Sequence, residues 1–215
     1  MILLYIHGMG GGGDSRIPGI LRDRLRGSDI ETVVRTYSFD PDEGAAQIAA
    51  WVEELSPSII VGESLGSLQA LRIHGLPHIF VSPSLGAPSW LGGFAVLSLI
   101  PGVRPLLNRV YKPREGDRQP LDFRYGILRK YRAHGREALG NSPRKGSGDY
   151  FFAFFGHHDH YRRSGVVSVR KWKRWFGKDN YAMYDGTHFM EEEFIDSLLL
   201  PKIKEIASKC SADSD

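Results

Sequence analysis

Ser58-Ile59-Ile60-Val61-Gly62-Glu63-Ser64-Leu65-Gly66 is the stretch on which the reading of this chain turns. An apolar run of strand character enters a G-x-S-x-G turn, and the apolar residues 65–74 that follow read as a helix ending at Gly75 with Pro77 beyond. A serine on such a turn projects above a sheet in a backbone conformation that most residues disfavour. Side chains at the two glycine positions would collide with neighbouring backbone. The helix that opens at the serine aims free N–H groups and the positive end of its dipole at a developing oxyanion. The competing reading is a plain strand-to-helix turn with small residues for close packing.

Working outward, residues 2–6, 32–39, 58–62, 78–82, 150–155 and 180–184 are short apolar runs rich in Ile, Val, Phe and Tyr. Near-continuous hydrophobic runs suit parallel strands covered on both faces. Between them lie helical spacings: Ile17, Ile20, Leu21 and Leu25; Ala45, Ile48, Ala49, Val52 and Leu55; and Val166, Val169, Trp172 and Trp175. A last helix is expected from Glu191–Glu193, with Pro201 kinking or dividing it. Alternating strand and helix predicts an α/β fold: a mostly parallel sheet of about six strands, helices on both faces. The rhythm breaks once, over residues 84–148, rich in proline and glycine, with helices expected only near 94–100 and 127–139. The chain is expected to be a single domain, 1–215, with a lid-like insertion at about 85–148 over the carboxyl edge of the sheet.

Directly after the first strand stands His7-Gly8-Met9-Gly10-Gly11-Gly12-Gly13. Its glycines leave backbone N–H groups exposed, and Asp14 or Ser15 is expected to cap the next helix. In acyl-transfer enzymes of this architecture, one oxyanion donor comes from such a loop and one from the residue after the serine, here Met9 and Leu65. A phosphate loop is the rival; neither the dinucleotide spacing nor Gly-Lys-Ser/Thr is present.

A serine needs a base, and the base a carboxylate. His188, after the last strand, and Asp159, after the strand before it, complete the order Ser64…Asp159…His188, with Asp179 and Asp185 as competing acids. His158 and His160 share a face in extended chain, but no third ligand is identifiable, so no metal and no cofactor are assigned. His7 is expected to order the glycine loop.

The 215 residues are 41% hydrophobic and 25% charged, which excludes a largely disordered or fibrous chain. A single Cys210 excludes an intramolecular disulfide and cysteine-rich zinc sites, and fits a reducing, cytoplasmic setting. No basic segment precedes the apolar start, which therefore reads as a strand, and residues 90–100 are too short for a transmembrane segment. The net charge of +3 conceals 12 Lys/Arg against 4 Asp/Glu in residues 104–145. Those cations either rim a pocket for an anionic substrate or form a solvated face; the basic residues of 170–174 are expected to lie outside a helix whose inner face holds Trp172 and Trp175. Nucleic-acid binding is not expected, because no recognised module accompanies the charge.

These motifs together resemble the α/β-hydrolase superfamily. The sequence begins on the strand of the glycine loop, without two leading antiparallel strands, and in that compactness is similar to the small bacterial YqiA-like esterases; Thr187 and Phe189 flank His188 as a small and an aromatic residue do there. The resemblance implies a metal-independent serine hydrolase acting on a small acyl substrate. Glu63 departs from the more usual histidine or serine beside the nucleophile. The alternative is a catalytically silent hydrolase fold whose basic face binds an anionic or protein partner.

Overall fold

The computed structural model describes residues 1–112, 115–141 and 149–212, without the side chains of the last two. The remaining parts of the expected insertion, with Arg114, Arg144 and Lys145, lie outside the described residues. Six strands, β1 (Ile2–Ile6), β2 (Glu31–Val34), β3 (Ile59–Glu63), β4 (Pro77–Val81), β5 (Tyr150–Gly156) and β6 (Tyr181–Tyr184), form one sheet in the order β2-β1-β3-β4-β5-β6. Every neighbouring pair is parallel. Period-two alternation sends Leu4, Ile6, Ile60, Phe80, Ala153 and Phe155 to one face, and Leu3, Tyr5, Ile59, Val61, Val81 and Phe154 to the other.

The first face is covered by α2 (Pro41–Leu55), the short α3 (Ser67–Ala70), α7 (Val169–Phe176), and α4 (Ala87–Leu97), α5 (Val103–Val110) and α6 (Tyr125–Gly140), the last three lying between β4 and β5. The second is covered by α1 (Arg16–Arg24) and the terminal run of α8 (Glu192–Phe194), a π turn (Ile195–Leu199) and α9 (Leu200–Ala212). Full burial of each large side chain contributes roughly 1.5–3 kcal/mol. The chain passes from β1 outward to β2 and then back past β1 to β3. At such a reversal the loops leaving adjacent strands diverge and open a crevice above the carboxyl ends.

Several local expectations are corrected. The second strand ends at Val34; Tyr37 and Phe39 are buried off the sheet, Tyr37 stacked on His7 and Phe39 against Phe123 and Tyr131. The helix expected over 65–74 is a 3₁₀ turn, Ser64–Gly66, followed by only Ser67–Ala70, after which Arg72 and Ile73 N–H groups bond three residues back. Trp172 is fully buried but Trp175 is 42% exposed, and Phe176 faces inward instead. Steps of three fall short of the 3.6-residue turn, so by its fourth member the stripe has rotated to solvent.

Two prolines of the middle segment stand in the first turns of helices rather than preventing them. Pro88 sits at the second position of α4, which therefore begins at Ala87, and Pro105 at the third of α5, which the sequence reading missed. N–H groups in a first turn have no intrahelical acceptor, so proline costs nothing there. Pro201 marks the junction where the π turn gives way to α9, and the helix runs on through it.

Candidate active site

Ser64 stands at the carboxyl end of β3. Glu63 is still extended, but Ser64 has φ +48°, in the left-handed region, and the chain then turns straight into the 3₁₀ turn. A methyl group at Gly62 would lie 2.8 Å from Ala70 Cβ, and one at Gly66 would press on the carbonyl oxygens of Ile6 and His7. The tight passage from strand to helix therefore needs both glycines. Strain of this kind costs on the order of 1–3 kcal/mol and persists only where the surroundings impose it.

His188 lies in the loop between β6 and α8. Tyr184 hydroxyl donates to Thr187 O at 2.8 Å, and the Glu191 carboxylate accepts from Thr187 N–H at 3.1 Å and from its hydroxyl at 2.7 Å. The loop is thus fixed from both ends, and His188 itself is 3% exposed. Its Nε2 is 2.9 Å from Ser64 Oγ and its Nδ1 is 2.8 Å from Asp159 Oδ2. Asp159 follows β5; its second oxygen accepts Tyr161 N–H at 2.8 Å, capping the turn His160–Arg162. With one carboxylate oxygen held by backbone, the other aims at the imidazole. A proton on Nδ1 facing the carboxylate leaves the Nε2 lone pair toward the serine hydroxyl. Edges of the Tyr161 and Phe189 rings pack on the imidazole at 4.6 and 5.2 Å between centroids.

The competing acids are elsewhere: Asp185 lies 2.7 Å from His158 Nε2, and Asp179 is exposed. That pairing also separates His158 from His160, whose ring lies against Tyr161.

The glycine loop leaves β1 beside the serine, and a Cβ on Gly8 would lie 3.0 Å from Ser64 Cβ. His7 orders the loop as expected, Nδ1 donating to Gly8 O at 2.7 Å, with its ring on Tyr37 and its pKa pushed down to about 4 by burial. Gly11 N–H turns back to Gly8 O, and Gly10 N–H is held by Gln119 Oε1 at 3.1 Å. The helix cap differs from expectation: Ser15 Oγ accepts backward from Gly12 N–H, and Asp14 pairs with Arg118 at 2.6 Å. Other cations of the middle segment are likewise paired, Lys130 with Asp40 and Arg124 with Asp122.

The sequence reading missed Ser84 and gave Glu63 no partner. Ser84 Oγ lies 3.1 Å from Ser64 Oγ, and Ser84 N–H donates to Ser64 O. Ser82-Pro83-Ser84 directly follows β4, so the rule that ligand contacts gather at strand carboxyl ends could have marked it. Glu63 accepts from Tyr5 hydroxyl at 2.9 Å. Burial pushes its carboxyl up, opposed by that hydrogen bond and by the charges of His188 and Arg16.

No family model and no curated protein sequence matches the chain. Solved structures do match. A monoacylglycerol lipase from Paleococcus ferrophilus is 16% identical, with TM-score 0.65 over 96% of this chain and 94% of that one. Est1E from Butyrivibrio proteoclasticus, bound to ferulic acid, is 14% identical, with TM-score 0.66 over 98% and 89%. Mouse alpha/beta hydrolase domain-containing protein 10 is 15% identical, with TM-score 0.64 over 97% and 90%. Together with the six-stranded parallel sheet and its flanking helices, these likenesses show that the chain has the α/β-hydrolase fold.

Proposed function

We propose that the protein is a serine hydrolase cleaving carboxylic esters of a small acyl substrate through Ser64, His188 and Asp159. One observation carries the reading: a buried imidazole within hydrogen-bond reach of a strained serine on one side and a tethered carboxylate on the other. His188 Nε2 takes the hydroxyl proton as Ser64 Oγ attacks the acyl carbonyl. Asp159 keeps the ring in the tautomer this requires and stabilises the imidazolium that forms. The tetrahedral oxyanion is held by backbone N–H groups of Met9 and Leu65, a role supported by the close approach of Gly8 to Ser64 and by the turn that opens at the serine. The imidazolium protonates the leaving alcohol, and His188 then deprotonates a water that releases the acyl group, restoring the serine. None of these steps requires a metal or cofactor. The compact architecture is in keeping with a YqiA-like esterase, the finer form of this proposal.

Hydrolysis of p-nitrophenyl esters, with labelling by a fluorophosphonate, tests it. Ser64→Ala should abolish labelling and lower kcat on the order of 10⁴–10⁶-fold. Retained activity in that variant refutes the assignment, and a wild-type protein that neither labels nor turns over is a binding protein on a hydrolase fold.

A further inference from the structure

The helices between β4 and β5 carry an apolar face that the other described residues leave uncovered. Helix α4 contains no charged residue. Its inner side, with Ala87, Pro88, Leu91 and Ala95, is buried, and Pro88 and Gly92 pack against Gly135 and Arg132 of α6. The opposite side presents Trp90, Val96 and Leu97, followed in the turn by Leu99 and Ile100, all 45–64% exposed. A helix apolar on every side is normally covered on every side. On α5, Val103 and Leu107 face inward, while Leu106 and Val110, one turn apart, are 58% and 64% exposed. At about 100° per residue, Arg109 lies beside the Leu106–Val110 sector, Arg104 lies past the inward Leu107 at the other edge of the helix's full apolar face, and Lys112 follows the helix. All three cations are exposed.

We propose that this face docks on an anionic phospholipid surface. Residues 64–114 contain no Asp or Glu, so the charges that α4, α5 and the turn between them themselves carry are positive alone. A second copy of the chain, meeting it face to face, would set those cations against their own kind. Nor does the face offer directional hydrogen bonds for a specific protein: Ser98 turns its hydroxyl inward to Ala95 O, and Trp90 Nε1 donates to Ser164 O. Protein interfaces carry such bonds at regular density, whereas a lipid surface accepts apolar side chains without them and holds cations at its headgroups. Among the described residues no helix is long and apolar enough to cross a membrane, so the contact is peripheral. Each cation near an anionic leaflet raises partition roughly fivefold, and three together on the order of 10²-fold.

Cosedimentation of the full chain with phosphatidylcholine vesicles, with and without phosphatidylglycerol, needs no turnover and is read independently of Ser64. Binding should be on the order of 10²-fold tighter to the mixed vesicles and should weaken with salt. The double variant Leu99→Asp/Ile100→Asp should lose binding, and Arg104→Gln/Arg109→Gln, which keeps only Lys112, should see its preference for the mixed vesicles fall to about fivefold; because all four side chains are exposed, unchanged thermal melts verify the fold. Absence of vesicle binding, equal wild-type binding to both vesicle types, or binding retained by the aspartate variant overturns the proposal. So does a dimer in sedimentation equilibrium that the aspartate variant disperses, which would assign the face to a second copy.

Discussion

The carboxyl rim of the sheet and the helical segment between β4 and β5 treat side chains in opposite ways. At the rim, polar groups are buried and held from more than one side: Asp159 by Tyr161 N–H and His188, the His188 loop by Tyr184 and Glu191, His7 by Gly8 O and Tyr37. In the helical segment, apolar groups such as Leu99 and Leu106 stand in solvent. Low-dielectric surroundings make a mispositioned polar group expensive, so the rim is rigid where geometry matters. The helices between β4 and β5 have surplus apolar area, and that surplus is available for contact outside the chain.

The contrast can be broken first at the rim. Asp159→Asn should lower kcat on p-nitrophenyl esters on the order of 10⁴-fold by favouring the wrong imidazole tautomer. Asp185→Asn, which touches only the exposed His158, should leave kcat within about twofold. Equal losses would mean that the two aspartates are interchangeable, contrary to the hydrogen bonds of His188.

The next effect concerns covering. Trp172, enclosed by Phe80, Phe155 and Phe176, should cost about 3–5 kcal/mol on replacement by alanine, and Trp175 about 0.5 or less. Urea denaturation of the two variants measures the difference, and similar losses would put both indoles in the core.

Acid sharpens the comparison, because buried histidines occur in both regions and in the sheet itself. Burial pushes His7, His78 and His134 down to about 4. The unfolded chain takes up those protons near 6.5, so between about 6.5 and 4 it binds more protons than the folded one. Stability is therefore full above about 6.5, falls as pH drops toward 4, and levels once the folded histidines also charge. Urea midpoints across this range should show the fall, and His78→Asn should make it shallower; a flat profile would contradict the burial of these rings. The smallest effect belongs to the exposed pairs of Arg24 with Glu192 and Asp196, which join α1 to the terminal helices. Arg24→Ala should lower the thermal midpoint only slightly, and by less still at high salt.

Much of the rim's geometry was legible because it depends on short local patterns. Ser64, Asp159 and His188 each follow an apolar strand, and strands buried on both faces announce themselves as unbroken hydrophobic runs. The losses came where one sequence signal has two physical meanings. Tyr37 and Phe39 are as apolar and buried as strand residues, yet they pack beneath loops rather than within the sheet. Pro105 reads as a breaker, and its harmlessness depends on its place in a first turn. Trp175 extends a spacing of three that drifts off the buried face. Ser84 shows its relation to Ser64 only once β3 and β4 lie side by side.

Gln119 has a consequence for anyone who would re-engineer this protein. Its buried side chain accepts from Gly10 N–H and donates to Tyr37 O, and its backbone N–H donates to Gly11 O. One residue thus stitches the middle segment to the loop beside Ser64. A chimera exchanging the segment as a cassette, in the hope of altering selectivity alone, would also cut that stitch and slow turnover unless a glutamine is grafted back at the same place.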